Sequence, residues 1–534
     1  MEFRKVLALR GPNQWANFPV LEAWVELGEW EDKSSQEIPG FTERLMQWLP
    51  SLMEHRCSIG ERGGFYQRLL TGTYPAHILE HIALELQSLA GNPVGFGKAR
   101  ETSEPGVFRV VVEYECEAVG RAALESARQM FLAAARNQPF NLPDEIRRLR
   151  DLNQQVSLGP STRAIVAAAQ ARNIPTRRLN EDSLVQFGYG RFARRIQAAE
   201  TDRTPAIAES IAQDKELTRK LLRAAGVPVP EGRPVSGAED AWKASEEIGL
   251  PVVVKPLDGN QGRGVATNLT TREQVLSAYE AARKESAAVL TEKYILGHDY
   301  RVLVVGGKVV AAARREPAHV LGDGQHTIAQ LVEIANADPR RGDHHATVLS
   351  KIRLDEVALG VLRDQEFTPE SVPPAGQRVL IRRNGNLSTG GTAIDVTEYV
   401  HPEVAARAIE AAQMVGLDIA GIDVIAQDIS RALEEQGGVI VEVNAAPGLR
   451  MHLEPSAGIS RPVGEAIVGL LFPEGASGRI PMAAVTGING KTTTTRFLAH
   501  LLKGVHKVVG MACTDGIFVG ERRIDTDDCS GPRS

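Results

Sequence analysis

Residues 421–428 read GIDVIAQD and residues 439–448 read VIVEVNAAPG. Both are apolar runs of strand length carrying one or two acids. In an extended strand alternate side chains share a face, so Glu442 and Asn444 point the same way. Asp423, on a neighbouring strand, would complete a set of hard oxygen ligands. Such a set suits Mg²⁺, which takes one or two carboxylates and fills its remaining positions with water and substrate phosphate. A half-buried strand with solvated polar residues would show the same E-x-N spacing, so the reading depends on what lies upstream.

Upstream, VVVKPLDGNQGRGV (252–265) is a buried strand ending in Lys255, followed by a loop holding Gly259, Gly262 and Gly264. Glycines let backbone N–H groups approach phosphate, and the lysine adds a point charge. TEKYILGHDYRV (291–302) is a strand entering a turn; the segment Glu292, Lys293 to Ile295 suits adenine, and Asp299 the ribose hydroxyls. DKELTRKLLRAAGVPVP (214–230) is an amphipathic helix with Asp214 as N-cap, Gly226 as stop and Lys220 on its surface. The strand-like runs PVVVKP, AAVLTEKYI, RVLVVGGKVVAAA and GVIVEVN alternate with helical stretches, which makes this part α/β.

Together these pieces resemble the ATP-grasp superfamily over about 300 residues, in the order helix lysine, strand lysine, Gly-rich loop, E-K-Y-I hinge, then Asp and E-x-N. The resemblance implies that Lys220, Lys255 and the loop glycines hold ATP phosphates. It assigns adenine to Glu292–Ile295, ribose to Asp299, and Mg²⁺ to Asp423, Glu442 and Asn444. It also implies the chemistry: a carboxylate becomes an acylphosphate, which an amine attacks. In related D-alanine ligases an arginine lies two residues before the first metal aspartate. Here that position is Gly421, which leaves Arg301 and Arg382 as candidates to orient the acylphosphate.

The flanks narrow the family. AVTGINGKTTTTRF (484–497) sets Gly487, Asn489, Gly490, Lys491 and Thr492 as a second phosphate loop, expected between a strand and a helix. Its spacing is G-x-x-G-K-T, since position 485 is valine, and it looks like the P-loop of Mur ligases. An ATP-grasp domain followed by such a loop resembles the cyanophycin synthetase family, as do FTERLMQWLPSLMEHRCSIGERGGF (41–65) and LSTGGTAIDVT (387–397). That resemblance implies addition of L-aspartate to the C-terminal carboxylate of a polyaspartate backbone. Ser388, Thr389, Gly390, Gly391 and Thr392 would border the polymer end. Aspartate and a cyanophycin-like primer are the expected partners, and a homo-tetramer the expected assembly. The Mur-like part stops after its first βα unit and part of the next, so the chain reads as C-terminally truncated and arginine addition is not expected. Another ATP-grasp ligase using a different amino acid remains the alternative.

TYPAHILEHIALELQSLAGNP (73–93) is a helix with Thr73 as N-cap and Gly91 as stop. Ile78, Ile82, Leu86 and Leu89 share one face; His77, His81 and Glu85 lie on the other, with Glu80 beside them. Histidines at i and i+4 can clasp Zn²⁺ with Glu80 as general base, and H-x-x-E-H is the inverzincin order. A polar face docked on a neighbouring segment is the bland reading. Glu85, Glu113, Glu115 and Glu117 are open as third ligands. Some cyanophycin synthetases resemble a metallopeptidase here, which implies a polymer-trimming hydrolase.

The rest of the composition bounds the class. A net charge of −6 argues against a general nucleic-acid binder. Four cysteines without a CxxC pair form no disulfide framework and suit a cytoplasmic setting. No apolar run is long enough to span a membrane. The fold class expected is α/β multidomain: an N-terminal α+β domain over 1–160, an ATP-grasp domain over 161–478, and the start of a Mur-type P-loop domain over 479–534.

Overall fold

The computed structural model describes residues 1–257, 264–342, 347–505 and 508–530. The chain forms two compact units, Ser157–Ile480 and, in the other, Met1–Val156 together with the segment from Pro481.

In the N-terminal unit, strands β1 (Glu2–Leu9), β2 (Val20–Glu26), β3 (Gly97–Glu101) and β4 (Val107–Glu113) form an antiparallel sheet in the order β1-β2-β4-β3. The β2–β4 register pairs Leu21 with Val112 and Ala23 with Val110. Strand alternation therefore turns these side chains to one face, where they join a core with Ile78, Ile82 and Leu86 of helix α1 (Pro75–Leu89). The cap of α1 is Tyr74 rather than the expected Thr73, because Pro75 takes the first helical position, where a missing N–H costs nothing. The helix is buried nearly all round: Glu80, His81 and Glu85 are as enclosed as the apolar stripe.

The second unit carries two antiparallel sheets that matter for chemistry. Helix α2 (Lys215–Ala224) starts where the Asp214 side chain accepts from Leu217 N–H at 2.9 Å. Strands β5 (Gly232–Val235), β6 (Val252–Pro256), β7 (Ala266–Leu269) and β8 (Val289–Lys293) follow, in the order β7-β6-β8-β5. Val252 and Val254 enter a core with Ala244, Val275 and Ala278, so Val253 and Lys255 face the other way. Strands β9 (His298–Val305), β10 (Lys308–Glu316), β11 (Thr392–Asp395), β12 (Ile419–Ala426) and β13 (Val439–Asn444) form a sheet in the order β11-β10-β9-β12-β13. One face is apolar throughout: Tyr300, Val302, Val304, Ala312, Ile422, Val424 and Ile440 pack with the helix Pro402–Val415. Between β10 and β11 a segment with its own core, built on Ile328, Leu331, Ile352, Leu362, Val379 and Ile381, leaves the sheet and returns.

The expected strand before Gly487 does not form; residues 481–486 lie in no strand, since no neighbouring strand of the described chain offers them a ladder. The helix behind the loop, Lys491–Leu502, does form, followed by three short antiparallel strands between Gly510 and Asp525.

Helix α3 (Arg450–Leu453) turns His452 inward. The imidazole is buried, and neither ring nitrogen has a partner among the described residues. Burial, then the Arg301 and Arg315 charges, pull its pKa down to about 3, against the opposing pull of Asp395. The unfolded chain protonates this histidine below about pH 6.5 while the folded chain does not, so acid favours unfolding. Between pH 6.5 and about 3 this group alone should remove about 1.4 kcal/mol of stability per pH unit. Thermal unfolding of the native chain and of His452→Leu at pH 7 and pH 5 checks it. The variant should lose less on acidification, and equal losses would contradict the linkage.

Candidate active site

The face of the second sheet opposite its apolar core is apolar at one end and charged at the other. Leu303, Val305, Ala311 and Ile419 meet the helices Pro160–Ala171 and Val463–Leu471 at the apolar end. At the other end Asp423 pairs across the ladder with Arg301 on β9 and with Glu442 on β13, and Asn444 pairs with Gly421. Two carboxylates directly opposite each other repel, so this arrangement calls for cations. Asn444 Nδ2 donates to the Gly421 carbonyl at 3.3 Å, which orients its amide.

Two arginines supply part of that positive charge. Arg301 grips both Asp423 oxygens, and Arg315 reaches Asp423 at 3.1 Å and Asp299 at 2.5 Å. Burial pushes the Asp423 carboxyl up, yet the two guanidinium groups outweigh it and hold it below the usual carboxylate range. At Asp299 burial wins and the carboxyl sits above that range. Asp299, read as a ribose ligand, is thus drawn into the acidic cluster by Arg315, a residue the sequence reading passed over. Gly421 explains the placing of Arg301: a Cβ there would lie 3.0 Å from Arg301 Nη1 and 2.8 Å from Pro447 Cβ. The guanidinium occupies the space above the glycine. Arg382, the other candidate, is committed elsewhere: it forms a bidentate pair with Asp355, at 2.7 and 2.5 Å, and thereby braces the N-cap of the helix Glu356–Arg363.

Further cations stand at the β13 edge, on helix α2 and on the first sheet. Lys255 Nζ meets Glu292 at 2.5 Å, and Arg219 stands 3.7 Å from the same carboxylate. Lys215 Nζ lies 3.3 Å from Glu442. Lys220 is exposed, so helix α2 turns Lys215 and Arg219 to the site in its stead. Positions four apart share a helix face, whereas Lys220 is rotated about 100° from Arg219. Glu292 is therefore an ion-pair partner of Lys255. Lys293 Nζ donates to the Gly249 carbonyl at 2.7 Å, and Lys293 N and Tyr294 N are both used in backbone bonds. Ile295 N has no partner among the described residues. Gly264 adopts φ +67°, hard against Pro256, while Gly259 and Gly262 lie outside the described residues.

Loop 387–392 borders this face from the β11 edge. Ser388 is exposed, Thr389 Oγ1 donates to Asn384 Oδ1 at 3.1 Å, and Thr392 pairs with Glu316. Gly390 has φ +95°, and a Cβ on Gly391 would sit 2.9 Å from three carbonyl oxygens. Only glycine fits either position.

A second cluster lies in the N-terminal unit. Ligand atoms of Cys57, His77 and His81 fall within 4.8 Å of one another. His77 Nε2 is 3.3 Å from Cys57 Sγ, and its Nδ1 meets Glu80 at 2.8 Å. His55 bridges His81 at 2.7 Å and Glu85 at 2.8 Å. Burial and the neighbouring histidines pull His81 down to about 2, and burial raises Glu80. The glutamates weighed as third ligands are otherwise occupied: Glu85 by His55, Glu113 by the Gly95 and Phe96 N–H groups, Glu117 by Arg10 and Arg121. Glu115 is exposed in the bend after β4. Cys57 and His55 went unread because they lie about twenty residues before the helix; the H-R-C run at 55–57 is their only trace in the sequence.

In the C-terminal segment Gly490 caps the helix with φ 77°, and Thr492 Oγ1 lies 2.9 Å from Thr514 Oγ1. Lys491 folds back onto the Gly487 and Ile488 carbonyls at 2.9 and 3.3 Å, with Asn489 beside them in the loop.

Comparison with known proteins matches these regions to families. Residues 22–136 match a cyanophycin synthase-like N-terminal domain, and residues 212–321 and 381–461 a RimK-like ATP-grasp domain. Cyanophycin synthetases of Trichormus variabilis and Synechocystis are 48% and 46% identical over the whole chain, which spans 60% and 62% of their lengths. A glutathione biosynthesis bifunctional protein GshAB of Clostridium perfringens is 35% identical over 52% of this chain and 36% of its own. Among solved structures, a bifunctional glutathione synthetase from Pasteurella multocida aligns with a TM-score of 0.49 and 31% identity, covering 67% of this chain and 50% of that one. No described helix is long and apolar enough to cross a membrane. The chain is a relative of the cyanophycin synthetases, carrying a cyanophycin synthase-like N-terminal domain and a RimK-like ATP-grasp domain.

Proposed function

We propose that the second unit is an ATP-dependent carboxylate–amine ligase that adds L-aspartate to the C-terminal carboxylate of a polyaspartate-type backbone. The carrying observation is the facing pair Asp423 and Glu442 between Arg301, Arg315 and Lys215. Opposed carboxylates with Asn444 alongside suit Mg²⁺, which would neutralise phosphate charge there. Lys255, Arg219 and Lys215 bind the triphosphate, and the unpaired Ile295 N–H and its neighbouring carbonyls suit an adenine edge. Arg301, seated above Gly421, stabilises charge on the acylphosphate while the amine attacks. Domain limits near 160 and 478, a phosphate loop at Lys491–Thr492, a cytoplasmic setting and a homo-tetramer belong to the same reading, supported by the similarity to cyanophycin synthetases.

A second reading concerns the N-terminal unit. Cys57, His77 and His81 suit Zn²⁺ by donor type and mutual distance. Zinc there would activate a water for hydrolysis, trimming polymer. Glu80 holds His77 through Nδ1, which leaves Nε2 for the metal, and its other oxygen has no partner among the described residues and can take a proton.

Three outcomes follow. Phosphate release should require aspartate when amino acids are omitted one at a time, and Glu442→Gln should slow it by about a hundredfold or more; release without aspartate would refute the substrate assignment. Lys215→Ala should raise KM for ATP about tenfold, as expected for one charge-assisted contact, and Lys220→Ala far less; the reverse order would return the role to Lys220. Elemental analysis of purified chain should find zinc, lost in Cys57→Ser and His81→Ala; zinc retained in both variants would remove the second reading.

A further inference from the structure

Residues 322–380 are skipped by the RimK-like match, yet they fold on their own core between β10 and β11. Where this insertion meets loop 387–391 and helix α3, two guanidinium groups stand without a counter-charge among the described residues. Arg341 Nη1 donates to the Ser350 and Gly390 carbonyls at 2.6 and 3.1 Å. Arg450 Nη1 donates to the Thr347 carbonyl at 3.1 Å. Neither makes an ion pair among the described residues. Asp338, the acid whose charge acts on Arg341, is itself engaged by Arg340 at 2.7 Å.

Elsewhere in this unit the enclosed arginines are paired: Arg301 with Asp423, Arg315 with Asp299, Arg382 with Asp355, Arg461 with Asp395. A half-buried cation held only by carbonyls is costly, and burial lowers the pKa of both Arg341 and Arg450. An anion arriving from solution would satisfy them.

Their position says which anion. Gly390, the acceptor of Arg341, precedes β11, whose Thr392 and Ala393 pair with Glu316 and Arg315. Met451, next to Arg450, packs on Leu387, Ala393 and Ala313. The two arginines therefore flank the β11 edge of the sheet. The cations read as triphosphate ligands stand at the β13 edge and on the first sheet, with Asp423 between the two groups. The reacting carboxylate must lie over Arg301 and Asp423, so an anion at the β11 edge belongs to the substrate that is not ATP. A planar guanidinium matches a carboxylate in shape and hydrogen-bond spacing.

We propose that Arg341 and Arg450 form the subsite for a second carboxylate of the substrate, one arm coming from the insertion and the other from the turn after β13, so that the site selects an acidic peptide end or dicarboxylic amino acid. This rests on the ligase reading above for its chemistry, while its test is one of binding. The full chain with ADP and Mg²⁺ is titrated calorimetrically with tri-aspartate and with tri-asparagine. The acidic peptide should bind more tightly, and Arg341→Gln and Arg450→Gln should each weaken it about tenfold or more while leaving the affinity for ADP unchanged. The preference for tri-aspartate over tri-asparagine should collapse in the double variant, a ratio that partial misfolding does not alter. Equal affinity of the native chain for the two peptides, or a preference untouched by both substitutions, overturns the proposal. Aspartate-dependent phosphate release by the native chain, measured in parallel, reports on the ligase reading separately.

Discussion

Asp423 and Glu442 face each other across neighbouring strands, and the charged end of the second unit's larger sheet is arranged around that repulsion. Nothing in a sheet favours two acids at directly opposed positions. Their charge is met from three directions: Arg301 one strand over, Arg315 two strands over, and Lys215 from helix α2. Each needs its own local condition. Arg301 needs the missing side chain at Gly421, Arg315 needs a place beside Asp299, and Lys215 needs the Asp214 cap that starts its helix. A magnesium ion with nucleotide phosphates would extend this set of cations.

The sheet separates stability from chemistry by alternation alone. Along β9, Tyr300, Val302 and Val304 enter the apolar core, while Asp299 and Arg301 face the site. Leu303 and Val305 share the face of Arg301 but lie deeper, against helices, so the charged end sits on a packed base. A buried ion-pair network of this kind adds little net stability, because desolvation offsets the attraction. In the proposed ligase its use would be to hold charges in position before a substrate arrives. The same logic is repeated in the N-terminal unit, where His55 and Glu80 brace the ring nitrogens of His81 and His77.

Much of this was legible in the chain. Asp423, Glu442 and Asn444 follow from period-two spacing, and Lys255 from its place at the end of a buried strand. The exposure of Lys220 was not legible, because the rotation of helix α2 about its own axis depends on what it packs against; Thr218 and Leu222 are buried, and Lys215 and Arg219 meet Glu442 and Glu292. Arg315 was missed for a different reason. Arg314 and Arg315 are adjacent in sequence, and only the pairing of β10 with β9 shows which of them lies beside Asp299.

The sequence by itself determined most strands of the two sheets, the Asp214-capped helix, the positions of Asp423, Glu442 and Asn444 and the family likeness, because these depend on periodicity and short motifs within one element. The tertiary structure alone decided which cation meets which acid, that Arg382 serves Asp355, that Cys57 joins the histidines of α1, and that Arg341 and Arg450 stand without acid partners among the described residues. Those facts depend on contacts between elements far apart in the chain. Side-chain electrostatics acts over a few ångströms of space, and distance along the chain carries no record of it.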